Sequence, residues 1–335
     1  MMIGKREIGG KQSPFIVAEI SGNHCGYKEN AIQLIKDAKI AGADAVKTQC
    51  YTADSMTLDC NKIDFIVQGG LWAGRSFYEL YSEAHTPPEW HADLYKAAED
   101  VGIPIFSSVF DRREVDMLMK LGCPAFKIAS FEITDVPLIE HVASTGRPMV
   151  LSTGLASNPE VLDAADIVHG KTDACFLHCT SQYPGTVEGA GMDRMLGLNS
   201  LLDFRFPVGV SDHTTDFIIP IVATARKAAI IEKHLKLAHM PSEDSEFSLD
   251  VDDFTTMVET VRLVHSSLRF DPPKRSVESQ FRRSLYAVAD IEEGEAFSVE
   301  NVRAIRPGFG RAPKHLAGMI GQPAGKSYKR GDPIR

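Results

Sequence analysis

Short apolar and β-branched runs recur along the chain, and between them lie segments whose apolar positions repeat at three- and four-residue steps. The first pattern marks strands covered on both faces, and the second marks amphipathic helices. Strands are expected at 15–20, 44–49, 104–109, 125–130, 149–153, 175–180, 207–212 and 230–235. Helices are expected between them, as at 30–41 and 88–101, each followed by a glycine, Gly42 or Gly102, suited to end a helix. Strand alternating with helix builds a parallel sheet. Eight such units in roughly 250 residues is the size of a closed (β/α)8 TIM barrel, an α/β fold.

Two stretches break the rhythm. Residues 51–86 are too long for a simple turn and carry a Gly-Gly-Leu-Trp-Ala-Gly-Arg run from Gly69 to Arg75, an insertion of the sort that shapes a substrate pocket. After the barrel expected at 1–270, an Asp-Pro-Pro-Lys-Arg segment opens a linker at 271–283. Beyond it, 284–335 reads as a small β-rich module with strands at 284–289 and 302–306 around a Glu292-Glu293-Gly294 turn. So small a module is expected to dock on another surface.

The 335 residues are 44% hydrophobic and 24% charged, which suits a large packed core and excludes disorder. A net charge of −9 excludes a general nucleic-acid binder, because that role needs a basic surface to displace counterions. The charge is unevenly placed: from Lys274 onward twelve Lys and Arg face seven Asp and Glu, so a basic tail follows an acidic body. Residues 1–10 lack the apolar core of a secretory signal, and no run approaches the ~18 apolar residues of a membrane span. A cytoplasmic protein without a membrane partner is expected. The six cysteines form no CxxC pair and are expected to be buried, reduced thiols.

In such a barrel the reacting groups stand at the C-terminal ends of the strands. Read in order, those ends deliver Glu19 and His24; Lys47 and Gln49; Ser107 and Ser108; Lys127, Ser130 and Glu132; Ser152 and Thr153; Ser181 and Tyr183; Ser211, Asp212 and His213; and Glu232, Lys233 and His234. Two lysines and a row of hydroxyls suit a phosphorylated or carboxylated anion. His213 and His234, on adjacent strand ends, can offer imidazole nitrogens to one divalent metal, with Glu19 or Asp212 as the nearby carboxylate. Two protein ligands leave positions open for water and substrate, the arrangement of a Lewis-acid site.

Each element alone has a plainer reading. A single strand-end histidine is more often a hydrogen-bonded structural residue, a single lysine more often lies at the surface, and the Ser107-Ser108 and Ser152-Thr153 pairs could cap helices. Convergence on one rim favours the chemistry. Trp72, Tyr78 and Tyr81 in the long connection suit packing and sugar stacking equally.

The strings AEISGNHCG (18–26), FKIASFEITDVPLI (126–139), LHCTSQYP (177–184), GVSDHT (209–214), EKH (232–234) and DSEFSL (244–249) resemble the sialic acid synthase family, which joins phosphoenolpyruvate to an N-acetylated hexose. Segment 71–91 resembles its pseudaminic acid synthase branch, and SLYAVADIEEGE (284–295) with RPGFG (306–310) resembles the antifreeze-like (SAF) module that ends these enzymes. The resemblance implies a Mn²⁺ or Mg²⁺ ion on His213 and His234, with Glu19 working beside it. It implies a phosphoenolpyruvate site at Lys47, Ser108, Lys127, Ser130, Ser152, Ser181 and Ser211, and sugar contacts at Gln49, Tyr183 and Asp244. It also implies a domain-swapped homodimer in which the tail of one chain brings Arg306 to the barrel mouth of the other.

Three departures stand out. Ser181 replaces the asparagine of N-acetylneuraminate synthases, favouring the pseudaminic branch. Ala228-Ala229 replaces Gly-Ala, and Ser242-Glu243 replaces the Gly-Pro before Asp244. The alternatives are an N-acetylneuraminate or legionaminate synthase with the same mechanism, a metal-dependent aldolase that releases no phosphate, and a non-catalytic sugar-binding protein built around the tail.

Overall fold

The structure, a computed structural model, describes residues 1–268 and 279–335. It comprises two compact units, Met1–Arg269 and Phe270–Arg335. The linker expected at 271–283 lies outside the described residues up to position 278.

The first unit opens with a two-stranded hairpin, β1 (Met2–Ile3) and β2 (Arg6–Glu7), whose strands are too short to show a hydrophobic period. Eight parallel strands follow: β3 (Phe15–Glu19), β4 (Ala45–Cys50), β5 (Ile105–Val109), β6 (Phe126–Ile128), β7 (Met149–Ser152), β8 (Ala174–His178), β9 (Val208–Asp212) and β10 (Ile230–His234). They close into a barrel because β10 pairs back onto β3. All eight expected strands are present, and the TIM-barrel reading holds.

The helices form where their ends are signalled locally. Asp111 caps Arg112–Lys120 in a capping box with Glu114, and Ser157 caps Asn158–Val168 with Glu160. Gly102, at φ +69°, ends His91–Val101. The serine pairs weighed as caps are not used so; Ser107 bonds Thr48 across the β4–β5 pair instead, at 3.1 Å. Connection 51–86 folds into a short helix (Ala53–Met56), a 3-10 turn (Ile63–Phe65) and a helix (Phe77–Ala84) capped by Ser76.

Register sets the site. His234 lies opposite Glu19, Glu19 opposite Lys47, Gln49 opposite Ser108, and Ser108 opposite Lys127, so the polar strand ends share one level. At the other end Arg262 holds Asp44 at 2.5 Å, and Asp44 accepts the Ile16 amide at 2.7 Å, tying the last helix to the start of the barrel. Between these ends apolar side chains pack the inside of the barrel and the layer between strands and helices, among them fully buried Phe106, Phe126 and Phe176.

The second unit is built on β11 (Ser284–Ala287) and β12 (Val302–Ile305), paired antiparallel around a small core that includes Leu285, Ile291, Phe297, Val302 and Ile334. Gly294 takes φ +84° in the expected turn. All six cysteines are free; Cys25 and Cys60, expected to be buried, are partly exposed because they stand on loops outside the strands.

Gly209 in β9 has no room for a side chain, since a Cβ there would collide with the Ile230 backbone and stand 2.9 Å from Leu177 Cδ2. Gly209→Ala is expected to cost about 1–3 kcal/mol by overpacking. Thermal unfolding checks this, and an unchanged midpoint would contradict the packing described.

Candidate active site

Strand alternation sorts the rim residues into two sets. Lys47, Gln49, Ser108, Ser211, His213, Glu232 and His234 line one cavity of about 480 Å³ at the barrel mouth. Their neighbours face away from it. Ser107 bonds Thr48, and Lys233, fully buried, pairs with Asp212 at 2.6 Å and donates to the Thr214 carbonyl at 2.5 Å. Asp212, one of the two carboxylates considered for a metal, is thereby committed to Lys233 and Thr214. Glu19 remains.

The cavity floor is a buried group of opposite charges. Lys47 Nζ lies 2.5 Å from Glu19 and 3.2 Å from Glu232, and donates to Ser108 Oγ at 3.1 Å. Lys127 Nζ lies 3.8 Å from the same Glu232 oxygen, which also accepts from Ser211 Oγ at 2.9 Å. None of these six residues is more than 4% exposed. Burial raises the Glu19 carboxyl, with Lys47 opposing. Burial acts to raise Glu232 as well, but Lys127 and Lys47 outweigh it and hold Glu232 at about 2. Burial acts to lower both lysines; the two carboxylates reverse that for Lys47, whereas Lys127 stays lowered.

Beside this floor the hydroxyls converge. Ser181, in the left-handed conformation at φ +51°, donates to Ser130 Oγ at 2.8 Å. Gly154 faces them, and a Cβ there would stand 2.8 Å from Ser130 Oγ. Ser152 Oγ is buried without a protein partner. Lysines, hydroxyls and a bare glycine backbone together form a cradle for a small anion.

His213 and His234 have ring centroids 5.4 Å apart. The Nδ1 of each is buried and unpartnered, while both rings line the cavity. Burial drives both below the usual histidine range, His213 to about 3, so both stay neutral. Neutral paired imidazoles are the donor set a divalent cation takes. Among the described residues no group of three or more His, Cys, Asp and Glu forms a ready-made metal cage. These residues fit a metal bound by two histidines, with its other positions open to water and substrate oxygens.

The opposite wall is apolar and aromatic: Tyr51, Val67, Trp72, Phe77 and Tyr81 from the 51–86 connection, with Phe110 and Phe131. The Tyr183 ring meets those of His213, at 4.4 Å, and Trp72, at 5.9 Å, each at a tilt of 47°. Asp244 accepts the Gly22 amide at 3.5 Å and lines the same cavity. Gln49 donates to Ser21 Oγ at 2.8 Å, and Ser21 donates its amide to Glu19 at 2.7 Å, which orients the carboxylate.

Of the barrel residues that the resemblance implies for the site, all except Ser181 line this cavity directly, and Ser181 reaches it through Ser130; Ser107, Thr153, Asp212 and Lys233 do not line it. Arg306 belongs to the second unit, where its Nε donates to the Phe281 carbonyl at 2.6 Å. His24 is structural: its Nδ1 accepts the Gly26 amide at 3.1 Å and its Nε2 meets Thr86 Oγ1 at 3.3 Å. Trp72 and Tyr81 line the cavity, whereas Tyr78 turns away to Asp54, at 3.2 Å. Glu232 and Glu132 are rim residues to which the sequence assigns no role. Glu232 is the counter-ion of both lysines and stands directly opposite Ser211 in the β9–β10 register.

Comparison with known proteins follows the same lines. A sequence profile of the NeuB family matches residues 34–270, and one of the SAF domain matches 282–335. The pseudaminic acid synthase of Campylobacter jejuni is 43% identical over 328 residues, covering 96% of this chain and 95% of the relative. That of Helicobacter pylori is 40% identical over 331 residues, covering 96% and 97%. The crystal structure of N-acetylneuraminic acid synthetase from Leptospira borgpetersenii superposes with a TM-score of 0.74 at 29% identity, over 84% of this chain and 94% of that one.

Burial raises Glu132 to about 7, against a usual 4.5. Below 4.5 the carboxyl is protonated in both folded and unfolded states; between 4.5 and 7 the unfolded chain ionises while the fold keeps the proton, so stability falls as pH rises. Glu132→Gln is therefore expected to gain stability over the parent on going from pH 4 to pH 8. Urea unfolding at both values checks this, and a pH-independent difference would contradict it.

Proposed function

The chain belongs to the NeuB family and closes in a SAF domain, and from that premise we propose that it joins phosphoenolpyruvate to a 2,4-diacetamido-2,4,6-trideoxy hexose. The product is a nine-carbon nonulosonic acid of the pseudaminic kind, with phosphate released. One observation carries the reading: a charged floor with lysines, hydroxyls and neutral histidines faces an aromatic wall within a single cavity. The floor suits the phosphate and carboxylate of phosphoenolpyruvate. The wall suits a sugar bearing two acetamido methyls and a C6 methyl.

Lys47 and Lys127 hold the anionic substrate, with Ser108, Ser130, Ser152, Ser181 and Ser211 supplying directional donors. C3 of the enol attacks the aldehyde carbon of the open-chain sugar, leaving positive charge at C2. Water adds to C2, and Glu19 takes its proton; a carboxyl raised by burial is a stronger base than an exposed one. The tetrahedral carbon then collapses to a keto group with cleavage of the C2–O bond of the bridge to phosphorus: its hydroxyl proton passes to the departing phosphate, which the lysines stabilise, and the proton taken by Glu19 passes to the sugar alkoxide formed in the first step. His213 and His234 would hold a Mn²⁺ or Mg²⁺ ion, which when bound polarises the aldehyde oxygen. Gln49, Tyr183 and Asp244 position the sugar. Neither lysine acts as a Schiff base, because both face the charges of the substrate.

A homodimer with swapped tails, implied by the family resemblance, would bring Arg306 of one chain to the sugar in the other. The exposed, basic character of the module supports this. No helix of the described residues is long and apolar enough to cross a membrane.

Incubation with phosphoenolpyruvate, Mn²⁺ and a panel of free sugars tests the proposal. Phosphate and a nonulosonic acid are expected, fastest with 2,4-diacetamido-2,4,6-trideoxyaltrose and slower with the mannose isomer and N-acetylmannosamine. No turnover with any acceptor would overturn it. His213→Ala and His234→Ala are each expected to abolish turnover with the circular-dichroism spectrum unchanged, and full activity in either would refute the metal assignment. Arg306→Ala is expected to raise the KM for sugar about tenfold and that for phosphoenolpyruvate much less; equal effects would count against the swapped tail.

A further inference from the structure

Beside the main cavity, and sharing Cys179, Ser211 and His213 with it, lies a second cavity of about 10 Å³ that His178, Asp212 and Thr214 also line. Its volume is about what one water molecule needs. Two residues that line the small cavity each carry a buried nitrogen without a protein partner, Nδ1 of His178 and Nδ1 of His213. Both side chains are more than nine-tenths buried.

The hydrogen-bond polarity there is determined. His178 Nε2 stands 2.6 Å from the Ala190 carbonyl, which only accepts, so Nε2 carries the proton and Nδ1 presents a lone pair. Burial keeps His178 neutral. A water in the cavity gives one hydrogen to His178 Nδ1, and its oxygen is then free to accept from His213 Nδ1–H.

We propose that His178, through one buried water, is a positioning residue for His213: it holds the proton on Nδ1 and leaves Nε2 bare toward the main cavity. The relay runs from His213 to water, to His178, to the Ala190 carbonyl. It does for a metal-binding histidine what an outer-shell carboxylate or carbonyl does elsewhere. The metal part rests on the proposed function; the tautomer part does not.

Two measurements on the full-length protein test it. In the metal-free parent, ¹⁵N–¹H long-range correlation spectra of labelled histidines, with His213 assigned from His213→Gln, are expected to show His213 protonated on Nδ1. Protonation on Nε2 overturns the relay, and this readout needs no variant at His178 to fold. Calorimetric Mn²⁺ titration without substrates is expected to show binding weakened about 10-fold or more in His178→Phe. Affinity is expected to be largely restored in His178→Asn, whose side-chain oxygen can accept near the same place. Unchanged Mn²⁺ affinity in His178→Phe overturns the positioning role. A parent that binds no Mn²⁺ would sink the metal reading, while the His213 tautomer would still decide the relay.

Discussion

Everything at the barrel mouth depends on neutralising charge that has been taken out of water. Two ammonium groups and two carboxylates, all nearly inaccessible, stand on strands β3, β4, β6 and β10. Any of them alone would cost several kcal/mol to bury, so each is tolerable only while the others hold their places. Glu232 sits between the lysines, and Glu19 occupies the remaining side of Lys47. In the proposed reaction an anion entering between the lysines replaces the contacts of Glu232 with its own.

The same constraint explains the division of labour along each strand. On β9 and β10 the inward residues Ser211, Glu232 and His234 serve the cavity, whereas the outward pair Asp212 and Lys233 welds the two strands behind it. The buried pair lies beside both histidines in the chain. Packing behind the site and chemistry in front of it thus share one period of two.

Much of this was legible in the sequence because it follows from periodicity. Uninterrupted apolar strands, glycines after helices and polar residues at strand ends are local signals, and they located the barrel and nearly all of its rim. What escaped depended on distant partners. His24 looks like a rim residue until Thr86, 62 positions away, meets its ring. Asp212 looks like a metal ligand until Lys233 pairs with it. The aromatic wall comes from a connection whose three short helical pieces have no sustained period, so Trp72 and Tyr81 could not be separated from Tyr78 before their positions were known. The buried nitrogen of His178 leaves no sequence signal, since its surroundings come from β8, β9 and the segments that follow them.

In the proposed reaction this floor condenses phosphoenolpyruvate with a sugar by water attack at C2 and C–O cleavage. Phosphoenolpyruvate labelled with ¹⁸O at the oxygen bridging C2 and phosphorus tests it most directly, with mass analysis of both products. The label is expected in the released phosphate. Label retained in the keto acid would mean that phosphorus–oxygen cleavage occurs instead, and would contradict the roles assigned to Glu19 and the two lysines.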